Sequence, residues 1–359
     1  MLQVAFAQTT SLRAISAALL LACSHNPPPS DNRAQITATP KPADAGICST
    51  VYCPETLYNR KSIAVVRRGI EVDGTDVFWS EISEREGNVV RAAPKNGSGP
   101  LRTLGQWHDF GISRSLLVDD AHVYWLKPDD AGTLLRVDKD GGNPVTTPLP
   151  ADAPGGKLAL GPLAQSNDAI LLATLSCSQV FSVPKGGSAI QTWSVSNYPD
   201  AGGATGFDSF GGIIYCANGA HIHSLDPATG EVNELVRDQR YVGALAMVDG
   251  ALYFAINDGD VTKANETLGR YDLPAGATAM VGPAFGSLIR LMYDDTRARL
   301  YWLTGLSPTA GNLVAYSPAS SAPPEVVFAG QDVQGNSTMD ADYLYWASDQ
   351  AVTRLHKAP

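Results

Sequence analysis

The chain of 359 residues carries 26 Lys and Arg against 36 Asp and Glu, a formal charge of -10, and its largest basic cluster is Arg67-Arg68. That balance excludes nucleic acid as a partner, because phosphate binding requires a basic footprint. With 34 Gly, 24 Pro and few runs of strong helix formers, the chain reads as short strands separated by many turns.

In chain order, the first feature is Leu12 to Ala22, LRAISAALLLA. It is apolar but shorter than the roughly 18 to 20 residues that cross a bilayer, so it predicts a signal-peptide core. It ends in Leu20-Leu21-Ala22-Cys23, which resembles the bacterial lipobox. The resemblance implies cleavage before Cys23, a lipid on its thiol, and a membrane-anchored protein of the cell envelope. Residues 1–22 are thus expected as a signal peptide and 23–46 as a Pro-, Ala- and Thr-rich tether that cannot bury a core. Residues 47–60 form a cap segment, and 61–359 the folded body. Beyond Cys23 stand Cys48, Cys53, Cys177 and Cys216. Four cysteines allow three pairings. Cys48 with Cys53 and Cys177 with Cys216 is the expected set, free buried thiols being the alternative for the second pair.

The body is built on a repeat. Paired bulky residues recur as Phe78-Trp79, Tyr124-Trp125, Leu171-Leu172, Ile214-Tyr215, Tyr253-Phe254, Tyr301-Trp302 and Tyr345-Trp346, their second members 39 to 48 residues apart. A second column follows with the same period: Arg91, Arg136, Ser182, Ser224, Arg270, Ala315 and Arg354. Most of its members run into a turn such as PKNGSG or DKDGGN. Turn signals cut each unit into four short strands, and repeats of about 40 to 45 residues match the blade of a β-propeller. The prediction is an all-β, seven-bladed propeller of four-stranded antiparallel blades. The last unit stops after its third strand, so Lys61 to Arg67, KSIAVVR, is expected to complete it from the N-terminal side and remove the exposed edges. The units resemble the YWTD and NHL propellers and, more closely, secreted bacterial repeat lipoproteins with D-x-x-x-V-Y-W followed by R-V-x-K-x-G-G. Streptogramin lyases share the seven-bladed form, but no stretch here matches their active-site segments.

An Asp recurs at Asp73, Asp119, Asp249, Asp294 and Asp340. Five carboxylates could ring a cation, yet VDG, VDD, YDD and MDAD read as turns in which Asp bonds its own backbone, with the Arg column as further partners. His221 and His223 face one side of a strand, a metal-ligand spacing. No third ligand accompanies them, so they read as core histidines, and no metal or other cofactor is expected. Asn257-Asp258-Gly259-Asp260 reads as a loop.

No hydrolase, protease or nucleotide-binding motif occurs. Candidate ligand-binding residues come instead from two loops that break the repeat. Gly105 to Ser113 supplies Trp107, His108, Asp109 and Phe110, and Ser196 to Phe210 supplies Tyr198, Asp200 and Asp208. Glu71, Met247 and Thr338 fall on inner strands as channel residues. Aromatics beside carboxylates suit a peptide, glycan or protein partner. The expected function is a binding module; the alternative is a lyase or hydrolase using His108 and Asp109 as acid and base.

Overall fold

The computed structural model describes residues 53–59, 67–83, 86–107, 115–127, 132–150, 160–174, 177–187, 189–195, 206–237, 241–257, 266–284, 288–307, 310–330, 336–348 and 351–357. Its strands form seven four-stranded antiparallel sheets. After β1 (Pro54–Asn59), blade I holds β2 (Arg67–Val72), β3 (Asp76–Ser83), β4 (Gly87–Pro94) and β5 (Arg102–Trp107). Blade II holds β6 (Leu116–Val118), β7 (His122–Lys127), β8 (Thr133–Asp138) and β9 (Val145–Pro148). Blade III holds β10 (Leu160–Gln165), β11 (Ala169–Thr174), β12 (Gln179–Pro184) and β13 (Gln191–Ser194). Blade IV holds β14 (Gly206–Phe210), β15 (Ile213–Asn218), β16 (His221–Leu225) and β17 (Val232–Arg237). Blade V holds β18 (Tyr241–Val248), β19 (Ala251–Asn257), β20 (Thr267–Asp272) and β21 (Ala277–Pro283). Blade VI holds β22 (Leu288–Asp294), β23 (Arg299–Ser307), β24 (Ala310–Tyr316) and β25 (Glu325–Gly330). Blade VII holds β26 (Ser337–Met339), β27 (Tyr343–Ala347) and β28 (Ala351–His356), with β1 as its fourth strand. Inner strands touch in order around the axis, and β26 meets β2.

The expected closure of the ring holds, but the closing strand is Pro54–Asn59, inside the segment read as a cap, rather than 61–67. The reason is reach. An outer strand must cross three strand spacings, about 14 Å, to start the next inner strand, and a strand abutting Arg67 would leave no residues for that crossing. Tyr58 then stacks on Trp79 of blade I at 5.6 Å, and its hydroxyl donates to the Pro94 carbonyl. Burial, assisted by the nearby Asp76 charge, pushes the Tyr58 phenol up to about 12.

The paired residues build the wall between blades. In each junction one blade's first member meets the next blade's second: Phe78 meets Trp125, Tyr124 meets Leu172, Tyr253 meets Trp302, Tyr301 meets Trp346 and Tyr345 meets Trp79. Blade IV corrects the sequence register by one residue. There Cys216 packs with Leu171 and Tyr215 with Phe254, so the pair is Tyr215-Cys216 rather than Ile214-Tyr215. Blade I corrects the second column too, since Ala92, not Arg91, lies opposite Phe78. Arg91 instead binds Glu81, Glu86 and Thr103 within its own blade.

The recurrent Asp residues sit at the ends of the inner strands or in the turns after them, as expected. Asp73, Asp119, Asp294 and Asp340 are reached by lysines, Asp294 also by Arg297, while Arg91, Arg270 and Arg354 pair with other nearby carboxylates, Glu81, Asp272 and Glu55. Asp119 accepts the backbone N–H groups of Ala121 and His122 and the Tyr124 hydroxyl, and Lys185 of blade III reaches it at 3.2 Å. Arg136 donates to the Lys185 carbonyl. The same latch recurs where Asp340 accepts from Tyr345 and Lys95, and Arg354 donates to the Lys95 carbonyl. Asp73 with Lys139 and Asp294 with Lys357 repeat its ionic part. The motif therefore clips blade to blade. At the III–IV junction Ser166 and Leu171 occupy the Asp and Tyr positions, and the Cys177–Cys216 disulfide, Cα atoms 6.3 Å apart, spans that junction. Cys53 is exposed; its expected partner Cys48 lies outside the described residues.

The latch predicts an acid response. Burial opposes ionisation of Asp119, but the two backbone N–H groups, the Tyr124 hydroxyl and Lys185 outweigh it and hold the carboxyl at about 2, against an ordinary 3.8. Because the folded value lies below the unfolded one, the stabilisation of about 2 kcal/mol is complete above about pH 4 and is lost as pH falls through about 2. Asp73, Asp294 and Asp340 are lowered in the same sense. Asp119→Asn should lower stability by that amount at pH 6, and the gap to wild type should close near pH 2 in denaturant melts. A gap unchanged by pH would refute the latch.

Candidate functional site

All seven inner strands, or the residues entering them, line an axial cavity of about 340 Å³. Aliphatic side chains such as Ile70, Leu116, Leu163 and Leu245 contribute to its wall, but the surface it presents is more polar than apolar. Charge enters at three points. Glu71 comes from β2, Asp208 from β14 and Arg290 from β22. Arg290 reaches the axis because β22 slips register between Leu288 and Leu291 against β23. Such a bulge leaves a residue outside the ladder and re-aims its side chain. The inner strands of blades I, III and V slip at equivalent places.

One side of the cavity is a closed network. Arg290 donates through Nη1 to Glu71 Oε1 at 2.7 Å and to the Ser337 carbonyl at 3.0 Å, and the Thr338 hydroxyl donates to Glu71 Oε2 at 3.0 Å. Blades VI, VII and I are thus joined across the axis, and both Glu71 oxygens are engaged. Asp208 differs. Its Oδ1 accepts the Ser209 N–H at 2.8 Å and its Oδ2 the Met247 N–H at 3.2 Å, with no cationic side chain bonded to it among the described residues. Burial pushes its carboxyl above the usual range, and those two N–H groups and the Arg290 charge offset this only in part. Glu71 and Arg290 cancel, so Asp208 supplies the cavity's net charge. A desolvated carboxylate of this kind attracts a donor-bearing cation or a proton.

The sequence-predicted residues divide among three fates. Glu71 and Asp208 line the cavity, and Thr338 supports Glu71. Met247 contributes its backbone N–H, while its side chain packs between blades IV and V, so it is not a channel group. Trp107 is likewise no loop residue: it ends β5, 8% exposed, with its ring stacked 6.3 Å from Trp125. Gly105 admits that packing, since a Cβ there would stand 2.6 Å from the Trp125 ring. His108, Asp109, Phe110, Tyr198 and Asp200, with Cys23, lie outside the described residues. His221 and His223 are buried and stacked at 5.9 Å, with Glu234 3.5 Å from His221. Burial, reinforced by the His221 charge, lowers the His223 pKa against the pull of Glu234. Arg290 was missed, although an Arg inside the apolar strand LIRLMYD is itself a signal.

A second depression, about 740 Å³, lies between blades III and IV and is lined by Trp193 and Phe210. It opens where Leu171 and Ser182 replace the Tyr and Arg of the latch.

No family model and no curated protein matches the sequence. Solved structures do match the fold. A streptogramin B lyase superposes with a TM-score of 0.66 at 11% identity, over 85% of this chain and 97% of the other. Virginiamycin B lyase from Staphylococcus aureus gives 0.65 at 11% identity, over 85% and 99%. The WD40 β-propeller domain of Doa1 gives 0.61 at 13% identity, over 85% and 97%. At such identities the likeness shows the propeller fold alone.

Proposed function

We propose that this chain is an exported binding module, held at the bacterial cell envelope by lipid on Cys23, whose propeller takes up a small polar ligand on its axis. The observation that carries the binding role is Asp208: a desolvated carboxylate without a cationic partner among the described residues, placed in a cavity otherwise built as wall. Buried charge is costly unless something pairs with it, and a ligand supplies that pair. The envelope address is supported by the apolar segment 12–22, by Leu20-Leu21-Ala22-Cys23, and by the likeness of the repeats to secreted lipoproteins.

The test is thermal melting of the purified chain in a fractionated small-molecule extract of envelopes. A ligand at about a hundred times its dissociation constant adds roughly 2.7 kcal/mol. The expected shift reverses on dialysis and is absent in Gln165→Trp, which fills the cavity. A chain whose melting no fraction moves is a rigid protein-docking scaffold instead. In cells, labelled fatty acid should enter the wild type and not Cys23→Ser; equal labelling of both removes the anchor.

A further inference from the structure

The chemical class of the ligand follows from how the cavity's charges are already used. Glu71 has its charge met by Arg290 on one oxygen and accepts the Thr338 hydroxyl on the other. Arg290 is neutralised by that contact and fixed by the Ser337 carbonyl, so it offers an incoming carboxylate or phosphate little net attraction. An anion would also have to sit near Asp208, whose charge Arg290 feels within the same cavity. Asp208 has acceptor capacity in hand: an ionised carboxylate offers about four lone-pair sites, and two backbone N–H groups occupy two of them.

The occupant that matches these spare acceptors is an N–H donor carrying one positive charge. A bare divalent cation is a poorer match, since it seeks six or more oxygens, and no group of three His, Cys, Asp or Glu that could hold a metal occurs among the described residues. A primary ammonium needs three acceptors, which Asp208 and neighbouring neutral oxygens such as those of Gln165 and Ser209 can supply; both residues line the same cavity. The volume of about 340 Å³ sits at the small end of ligand pockets and suits a compact polar body. The chain's formal charge of -10 favours the approach of a cation.

We propose that the axial cavity receives a small polar molecule through a protonated primary amine, which docks on the Asp208 carboxylate while Arg290 and Glu71 form the neutral wall opposite. This rests on the reading of the propeller as a binding module and names what that module recognises.

The experiment is calorimetric titration of the full chain with matched pairs, ethanolamine with N-acetylethanolamine and glucosamine with N-acetylglucosamine, in wild type, Asp208→Asn and Arg290→Met. At least one amine should bind while its acetylated partner does not, and Asp208→Asn should weaken the amine at least tenfold. Arg290→Met leaves Glu71 uncompensated and should tighten the amine, the reverse of what a carboxylate ligand would show. Should Asp208→Asn fail to fold, the wild-type pH profile decides: amine affinity falls as acid titrates the raised Asp208 carboxyl, with the chain still folded. Binding of the acetylated partners, or amine binding insensitive to both variants and to pH, overturns the amine while leaving a binding module in place. Absence of binding by either amine also overturns it, and the extract experiment then decides the binding role separately.

Discussion

Trp302→Ala should lower the free energy of unfolding by about 4 kcal/mol, the range for removing a large aromatic from a packed core. Trp302 is fully buried at the junction of blades V and VI, and its indole N–H donates to the Ala284 carbonyl at 2.9 Å. Truncation therefore opens a cavity and also strips a buried acceptor of its donor. Trp125 provides the internal control. It occupies the same column, yet its indole nitrogen has no hydrogen-bond partner among the described residues. Trp302→Phe should accordingly cost about 1 kcal/mol more than Trp125→Phe, because only the first loses a hydrogen bond. Urea unfolding of the three variants measures this, and equal costs for the two Phe substitutions would show that the Ala284 contact contributes nothing.

Replacing Cys177 and Cys216 together by Ala should cost about 4 kcal/mol, the chain-entropy value for a bridge closing a loop of this length. The two residues are 39 apart in sequence. The effect is expected to be large because the III–IV junction lacks the Asp and Tyr of the latch, so the bridge stands where other junctions use ionic clips. Melting the chain with and without a strong reductant reports the same quantity. A melting temperature indifferent to reduction would mean that the packing around Leu171 and Ile214 suffices alone.

The fold was legible because a propeller wall leaves little freedom: every blade must place two large residues back to back at one level, and that requirement writes a column into the chain. Where the column uses other chemistry, reading fails. In blade IV a half-cystine stands where Trp stands in blades I, II, VI and VII, and the bulk of Ile214 and Tyr215 drew the register one residue early. KSIAVVR attracted the closing strand by its apolar content, whereas PETLYN holds that place through two adjacent core residues, Leu57 and Tyr58, at a β-bulge. The cavity was less legible. Glu71 and Arg290 lie 219 residues apart, and a bulge that no local pattern announces turns Arg290 inward. Trp107 illustrates the opposite error, an aromatic in an irregular phrase that is nonetheless core.

The seventh blade also sets the order of events when the molecule is made. Its outer strand is made before the other six blades and its partner after them, so that Glu55 and Arg354, 299 positions apart, complete one ladder. Six blades can assemble from contiguous stretches as they emerge, but β1 has no strand to pair with until Ala351 to His356 exist. Loop-closure entropy rises only logarithmically with length, so so long a span is thermodynamically tolerable while remaining kinetically late. A growing chain therefore stays an open arc with two unprotected edges until β28 has been made, and the closed ring is the last part of the fold to form.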